Sequence, residues 1–185
     1  KNHRQGSVIT MKRNAIENEK RNAAHTSRWA TFEIIFGIPF IAGFILDFIF
    51  PLPISSDLLL ILLKPIGLLL LIAGLLLIIV ARREFSKLNQ PTNPGQPTSQ
   101  LITSGVFSFS RNPLYLGGIF FVAGFAMLCT LFWVLVCMPV SLVACHYLLI
   151  VPEERYLAKK FGSLYLDYTA TVNRWVGRVP FRKEN

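Results

Sequence analysis

The fold class this sequence predicts is an all-α integral membrane bundle: about four transmembrane helices, followed by a C-terminal amphipathic helix at the interface. Three observations predict it. First, 52% of the 185 residues are hydrophobic and only 16% are charged, with 15 Phe, a balance typical of membrane chains. Second, several apolar runs approach or exceed the ~20 residues that cross a bilayer core. Third, 18 of the 19 Lys and Arg residues fall in three segments that an even number of spans brings to one side. Seven precede residue 29, four lie between the second and third spans, and seven follow the fourth, leaving only Lys64 elsewhere. The positive-inside rule then puts both termini and the long central loop in the cytoplasm, in the inner or plasma membrane if the source is bacterial. The net charge of +9 is therefore a topology signal. The lipid bilayer is the expected partner and nucleic acid is not.

Taken in order, residues 1–28 read as a basic cytoplasmic arm and residues 29–185 as one membrane domain. The first span, near 30–50, contains Pro39, which lipid tolerates and which predicts a kink. Pro51 and Pro53 end it. Ser55, Ser56 and Asp57 cap the second span, near 58–81, in which Gly67 and Gly74 mark close helix contacts. Arg82 and Arg83 stop that span, and the polar stretch EFSKLNQPTNPGQPTSQ follows as a long loop. Leu101 to Phe109 is expected along the interface. Spans near 113–131 and 132–152 are separated by almost nothing and predict a tight hairpin, closed by Val151-Pro152. In the tail, 153–180, Leu157, Phe161, Leu164 and Tyr168 recur at helical intervals while Arg155, Lys159 and Lys160 face elsewhere, the pattern of one amphipathic helix. Cys129, Cys137 and Cys145 lie in apolar segments without paired spacing, so they read as buried thiols, with no disulfide framework and no metal site. No cleavable signal peptide is expected, since the first apolar run starts only near Trp29 and is too long for one.

Two polar clusters interrupt this apolar chain. In SRNPLYLGG, Asn112 is the expected N-cap and Pro113 the first helical residue. The first-turn amides and the helix dipole favour an anion there. Arg111 adds a guanidinium fork suited to a carboxylate or phosphate, and Tyr115 a ring and a hydroxyl. The second cluster is Glu153-Glu154, just after Pro152, able to hold a cation or hydroxyls or to act as a base. Each cluster alone reads first as structural: a snorkelling Arg, a capping Asn, an aromatic-belt Tyr, acidic residues at a helix start. On one cytoplasmic face they suit a single ligand carrying both charge signs. His146, within the fourth span, shares a face with Ile150 and Glu153 and is a functional candidate by position. It reads equally well as a packing histidine and stays outside the expected site. Glu33 and Asp47, near the two ends of the first span, read as interfacial.

The segments LITSGVFSFSRNPLYLGG and EERYLAKKFGSLYLDYTATVNRWVGRVP, with a helical hairpin between them, resemble the isoprenylcysteine carboxyl methyltransferase and phospholipid methyltransferase superfamily over about Pro97 to Pro180. The family's Arg-His-Pro-x-Tyr-x-Gly motif matches Arg111, Pro113, Tyr115 and Gly117, with Asn112 in the His position, a change that removes a titratable group. Its Glu-Glu pair matches Glu153 and Glu154. Phe161, Gly162, Tyr165 and Tyr168 match the pattern that follows, and Arg174 the arginine that closes it.

The resemblance implies transfer of a methyl group from S-adenosylmethionine, with S-adenosylhomocysteine as product, to a lipophilic small molecule or lipid. It implies a carboxylate, amine or thiol acceptor, taken at the cytoplasmic interface. It assigns cofactor binding to Arg111, Asn112, Pro113, Tyr115, Gly117, Glu153, Glu154 and Tyr165. It also implies catalytic roles: Arg174 to orient a carboxylate acceptor, or Glu154 to take a proton from an amine or hydroxyl. No metal is implied. Two other readings stay open. Membrane sterol reductases, which use NADPH, share a similar core and a related Arg-x-Pro-x-Tyr corner, and a non-catalytic scaffold or lipid-binding protein would keep the same outline. The short chain, the four spans and the intact Glu-Glu and tyrosine tail favour the methyltransferase.

Overall fold

A computed structural model describes residues 31–52, 57–88 and 98–179. The basic arm, the expected capping residues Ser55 and Ser56, and most of the Pro-rich loop lie outside the described residues. Among those described, the helices are α1 (Phe32–Ile49), α2 (Asp57–Lys87), α3 (Pro113–Leu128), α4 (Phe132–Cys145), α5 (Val151–Phe161) and α6 (Ser163–Thr171). A short 3₁₀ turn, Gly105–Ser108, precedes α3, and a π-turn, His146–Ile150, fuses α4 to α5. Three stretches are long and apolar enough to cross a membrane, Phe32–Ile49, Ile61–Lys87 and the continuous Phe132–Phe161, with mean hydropathies of 2.1, 2.7 and 2.4. The fourth apolar helix, α3, has 16 residues, about 24 Å at ~1.5 Å per residue, somewhat short of a ~30 Å hydrocarbon core. The chain is thus the all-helical membrane protein its composition predicts, with a short third span.

The helices pack as two seams. Lipid offers no hydrophobic drive for helix association, so close backbone approach at small residues matters more than in water. Between α2 and α3 that approach occurs at two glycine pairs. A methyl on Gly74 would lie 2.6 Å from the Gly117 carbonyl oxygen, and one on Gly124 would lie 2.6 Å from that of Gly67. The second seam joins α1 to α4, where Gly43 abuts the backbone of Val134. The α3–α4 contact is far less extensive than either seam, although only Cys129 to Leu131 separates the two helices. The expected hairpin forms, but each arm finds its main partner elsewhere. At one end of the bundle, Ile35 and Phe36 of α1, Tyr115 of α3, and Cys145, Leu149 and Ile150 bury one another. Ala81, near the end of α2, is buried with Ile102 and Phe107. The start of α1, the end of α2, the start of α3 and the end of the α4 segment therefore share one end, as four alternating spans require.

Four expectations are corrected. Arg82 and Arg83 do not end the second helix: arginine is a strong helix former, and α2 runs on to Lys87, where a Lys87–Glu84 pair at 2.7 Å supports its last turn. Val151-Pro152 does not close the fourth span. The Val151 N–H donates to the His146 carbonyl, five residues back, and this wider turn carries the helix through a residue that has no N–H and crowds the preceding turn. The tail is not one amphipathic helix: Gly162, at φ +56°, separates α5 from α6. The break resets the helical phase, so Tyr165, Tyr168 and Val172 pack against Leu101, Leu157 and Phe161, while Leu164 is exposed. Of the cysteines, Cys145 is buried but Cys129 is exposed, because it caps α3 at the inter-helix turn.

Candidate functional site

The polar groups gather at the end of the bundle where α3 begins. Two segments far apart in sequence are stitched together there, chiefly by backbone bonds. After α6 the chain turns back on itself through residues 172–178, with Asn173 N–H donating to the Gly177 carbonyl at 2.9 Å. This turn clips onto the segment that leads into α3. Arg111 N–H donates to the Asn173 carbonyl at 3.2 Å, and Gly177 N–H to the Phe109 carbonyl at 2.8 Å. Tyr168 of α6 adds a 2.6 Å bond from its hydroxyl to the Phe107 carbonyl. Burial raises the Tyr168 phenol above its ordinary pKa, with Tyr165 adding to the effect, so it stays a proton donor.

Asn112 occupies the N-cap position, and its carbonyl accepts the Leu116 N–H at 3.0 Å. Its side chain does not cap, however. The Nδ2 group donates to the Arg174 carbonyl at 3.2 Å, tying the C-terminal turn to the start of α3. Its own backbone N–H is met by Ser110 Oγ at 3.1 Å. Pro113, fully buried, begins the helix.

Within this frame two carboxylates take different partners. Both Glu154 oxygens are engaged by guanidinium groups. Arg174 grips it with two bonds, Nη2 to Oε2 at 2.6 Å and Nε to Oε1 at 3.1 Å, and Arg111 Nη1 lies 3.2 Å from Oε1. The Glu154 carboxylate in turn raises the pKa of Arg174. Glu153 accepts the Tyr115 hydroxyl at 2.9 Å, and no ion pair to it occurs among the described residues. Tyr165 closes the site from α6. Burial, reinforced by the Glu154 carboxylate, pushes its phenol up to about 12. One donor is left over: Arg111 Nε is buried with no hydrogen-bond partner among the described residues. Buried donors are nearly always satisfied, and exceptions concentrate where a ligand or water completes the set.

The structure therefore brings Arg111, Asn112, Tyr115, Glu153, Glu154, Tyr165 and Arg174 together, with Pro113 directly beneath. It does not bring Gly117. That glycine faces Gly74 and Ile78 in the α2–α3 seam, where its lack of a side chain serves helix packing. Sequence reasoning missed three contributors. Ser110 is almost fully buried, and only its adjacency to Arg111 hinted at it. The Asn173 carbonyl left no sequence signal, since any residue supplies one. Trp175 packs against the cluster containing Tyr115 and Leu149, and its place beside Arg174 was the available clue.

The group set suits a zwitterionic ligand in kind. Arg111 Nε, and a guanidinium released from Glu154, would meet an anion, while the carboxylates and tyrosines would meet ammonium or hydroxyl groups. In size the described conformation is closed: the free space among these side chains is about 50 Å³, whereas ligand pockets run to several hundred.

A family model described as phospholipid methyltransferase matches residues 63–163. No significant match was found to a curated protein or to a solved structure.

Proposed function

The chain belongs to the phospholipid methyltransferase family, and from that premise we propose that it transfers a methyl group from S-adenosylmethionine to the polar head of a lipid at the cytoplasmic membrane surface. The observation that carries this reading is the Arg111–Glu154–Arg174 and Tyr115–Glu153 constellation, drawn from both halves of the chain to one mouth of the bundle. Arg111, Asn112 and Tyr165, with the two glutamates, would hold the cofactor. When bound, S-adenosylmethionine supplies a methyl group already activated by its sulfonium, so the protein's work is chiefly positioning and electrostatics.

The two glutamates divide that work. Glu154 is committed to two guanidinium groups, so its part is to fix Arg111 and Arg174. Glu153 faces a neutral phenol instead. For an amine or hydroxyl acceptor, the base role expected of Glu154 therefore passes to Glu153, with Tyr115 fixing the carboxylate that receives the proton. For a carboxylate acceptor no base is required, and Arg174 orients it. Entry of a cofactor-sized ligand requires this space to widen; Thr98, Gln100, Leu101 and Ile102 line it ahead of the α3 entry segment, and the turn 172–178 is tied to that segment by only a few bonds.

The test is calorimetric titration of detergent-purified protein with S-adenosylmethionine, S-adenosylhomocysteine and NADPH, followed by an acceptor screen with labelled methyl donor. Binding of the first two and not of NADPH is expected. Arg174→Ala should weaken that binding roughly tenfold or more, the loss of a charge-assisted pair of ~1.5–3 kcal/mol. Binding of NADPH alone would overturn the proposal, and binding of none of the three would leave a non-catalytic lipid-binding protein.

A further inference from the structure

On the lipid side of the same corner, α3 and the α4–π-turn segment do not seal. A cleft of about 490 Å³ opens between them, lined by Leu116, Ile119, Leu142, Val143, His146 and Trp175. Its outer lip is continuous with an exposed apolar surface of α4 and the π-turn, where Val140, Val143 and Tyr147 are 65%, 59% and 66% accessible. A surface of this kind on a membrane-spanning helix faces acyl chains. Its inner end reaches the polar site, because Leu116 follows Tyr115 and Trp175 follows Arg174, and Trp175 also packs on the cluster that buries Tyr115.

Three side chains bring polar atoms to this lining, His146, Tyr147 and Trp175, and of these Tyr147 is exposed. The half-buried His146 ring stacks edge-on against Tyr147 at 4.8 Å, and no hydrogen bond to it occurs among the described residues. An imidazole at this depth without a partner is costly, and ionisable groups inside spans usually meet a ligand or a relay. The π-turn that begins at His146 is the local irregularity that sets this ring's direction. Seven residues separate His146 from Glu153, about 10 Å along the axis at ~1.5 Å per residue.

We infer that this cleft receives one acyl chain of the acceptor lipid and that His146 is a positioning residue, hydrogen-bonding the ester linkage of that lipid about 10 Å from the atom that takes the methyl. This deepens the reading of the polar site as the transfer centre and rests on it for the position of the head.

The test does not depend on methyl transfer. Purified protein in maltoside micelles is titrated, without cofactor, with a phospholipid brominated along its acyl chain, and Trp175 fluorescence is read by subtracting the signal of a Trp175→Phe variant. Saturable quenching is expected. Val143→Phe and Ile119→Phe, which fill the cleft from opposite walls, should each raise the midpoint about tenfold, equivalent to ~1.4 kcal/mol. His146→Leu should raise it about fivefold for the diester lipid, the worth of one hydrogen bond, and leave it unchanged for a brominated alkane. Unfolding midpoints close to that of the parent show that each variant is folded. Quenching that grows linearly with lipid, or that neither filling variant changes, overturns the cleft. An equal effect of His146→Leu on ester and alkane overturns the role of the imidazole. Because cofactor is absent, failure of the transfer chemistry would leave this result standing, and the reverse also holds.

Discussion

The two ends of the bundle each hold a carboxylate beside the start of a helix, yet they are built to different purposes. At the far end, both Asp47 oxygens lie 3.2–3.3 Å from the Trp133 N–H, near the start of α4, and the Trp133 indole N–H donates to the Phe50 carbonyl at 2.8 Å. One acid meets one backbone donor, and the α1–α4 seam is pinned. At the near end, Glu153 and Glu154 meet Tyr115 of α3, Arg111 of the segment leading into it and Arg174 of the C-terminal turn, with a buried guanidinium nitrogen left over. The far end has the larger hollow, about 350 Å³ against 50 Å³. Size therefore does not identify the site. What separates the ends is a surplus donor: at the far end the Trp133 backbone and indole N–H groups both find acceptors, whereas at the near end Arg111 Nε is buried without one among the described residues.

The largest effect expected from this comparison is at Glu153. Glu153→Gln retains an oxygen to accept the Tyr115 hydroxyl but cannot take a proton, so kcat for an amine or hydroxyl acceptor should fall by about 10²–10⁴, well beyond the loss of cofactor affinity that follows from removing its charge. Glu154→Gln should do the reverse in part, weakening cofactor binding because Arg111 and Arg174 lose their anchor. Initial rates with labelled methyl donor, set beside calorimetric affinities, separate the two. Full turnover by Glu153→Gln would remove the base role from Glu153.

A smaller effect sharpens the comparison through the α2–α3 seam, which is the same kind of contact at both ends. Gly74→Val and Gly124→Val each force a side chain against facing backbone and should destabilise by about 2–3 kcal/mol, the usual range for overpacking, read as lower thermal midpoints. Only Gly74→Val disturbs the helix turn that carries Tyr115, so it alone should also weaken cofactor binding. Equal binding losses in both would mean that the near end is no more sensitive to its frame than the far one.

The features legible in the sequence were those written in local pattern. Apolar run length marks the spans, and Gly67 and Gly74 stand out in α2 as contact points, though nothing local names their partners Gly124 and Gly117. Arg111, Tyr115 and the Glu pair stood out as charge within an apolar chain. Features that depend on how one segment meets another were not legible. Asn112 looked like a cap, and it took the returning C-terminal turn to draw its amide to Arg174. Pro152 looked like a stop because nothing in the residues announces a π-turn. Leu164 fitted a helical stripe until Gly162 reset the phase. Glu153 and Glu154 could not be told apart, since their difference lies wholly in which distant side chains reach them.

Asp47 gives the mildest test and the cleanest contrast. Its carboxylate serves α4 as an N-cap side chain would, though supplied by another helix, so Asp47→Ala should cost about 1 kcal/mol, a shift of roughly 2–4 °C in the thermal midpoint for a chain of this size. Asp47→Asn keeps an acceptor oxygen and should recover most of that loss. Neither variant should alter kcat or cofactor affinity, because no group at the far end reaches the polar site. Changes in activity with Asp47→Ala larger than its change in stability would show that the α1–α4 seam carries strain from one end to the other. In that case the two ends would be a coupled pair, and the far carboxylate would be holding Tyr115's neighbours Phe32 and Phe36 in register through the length of α1.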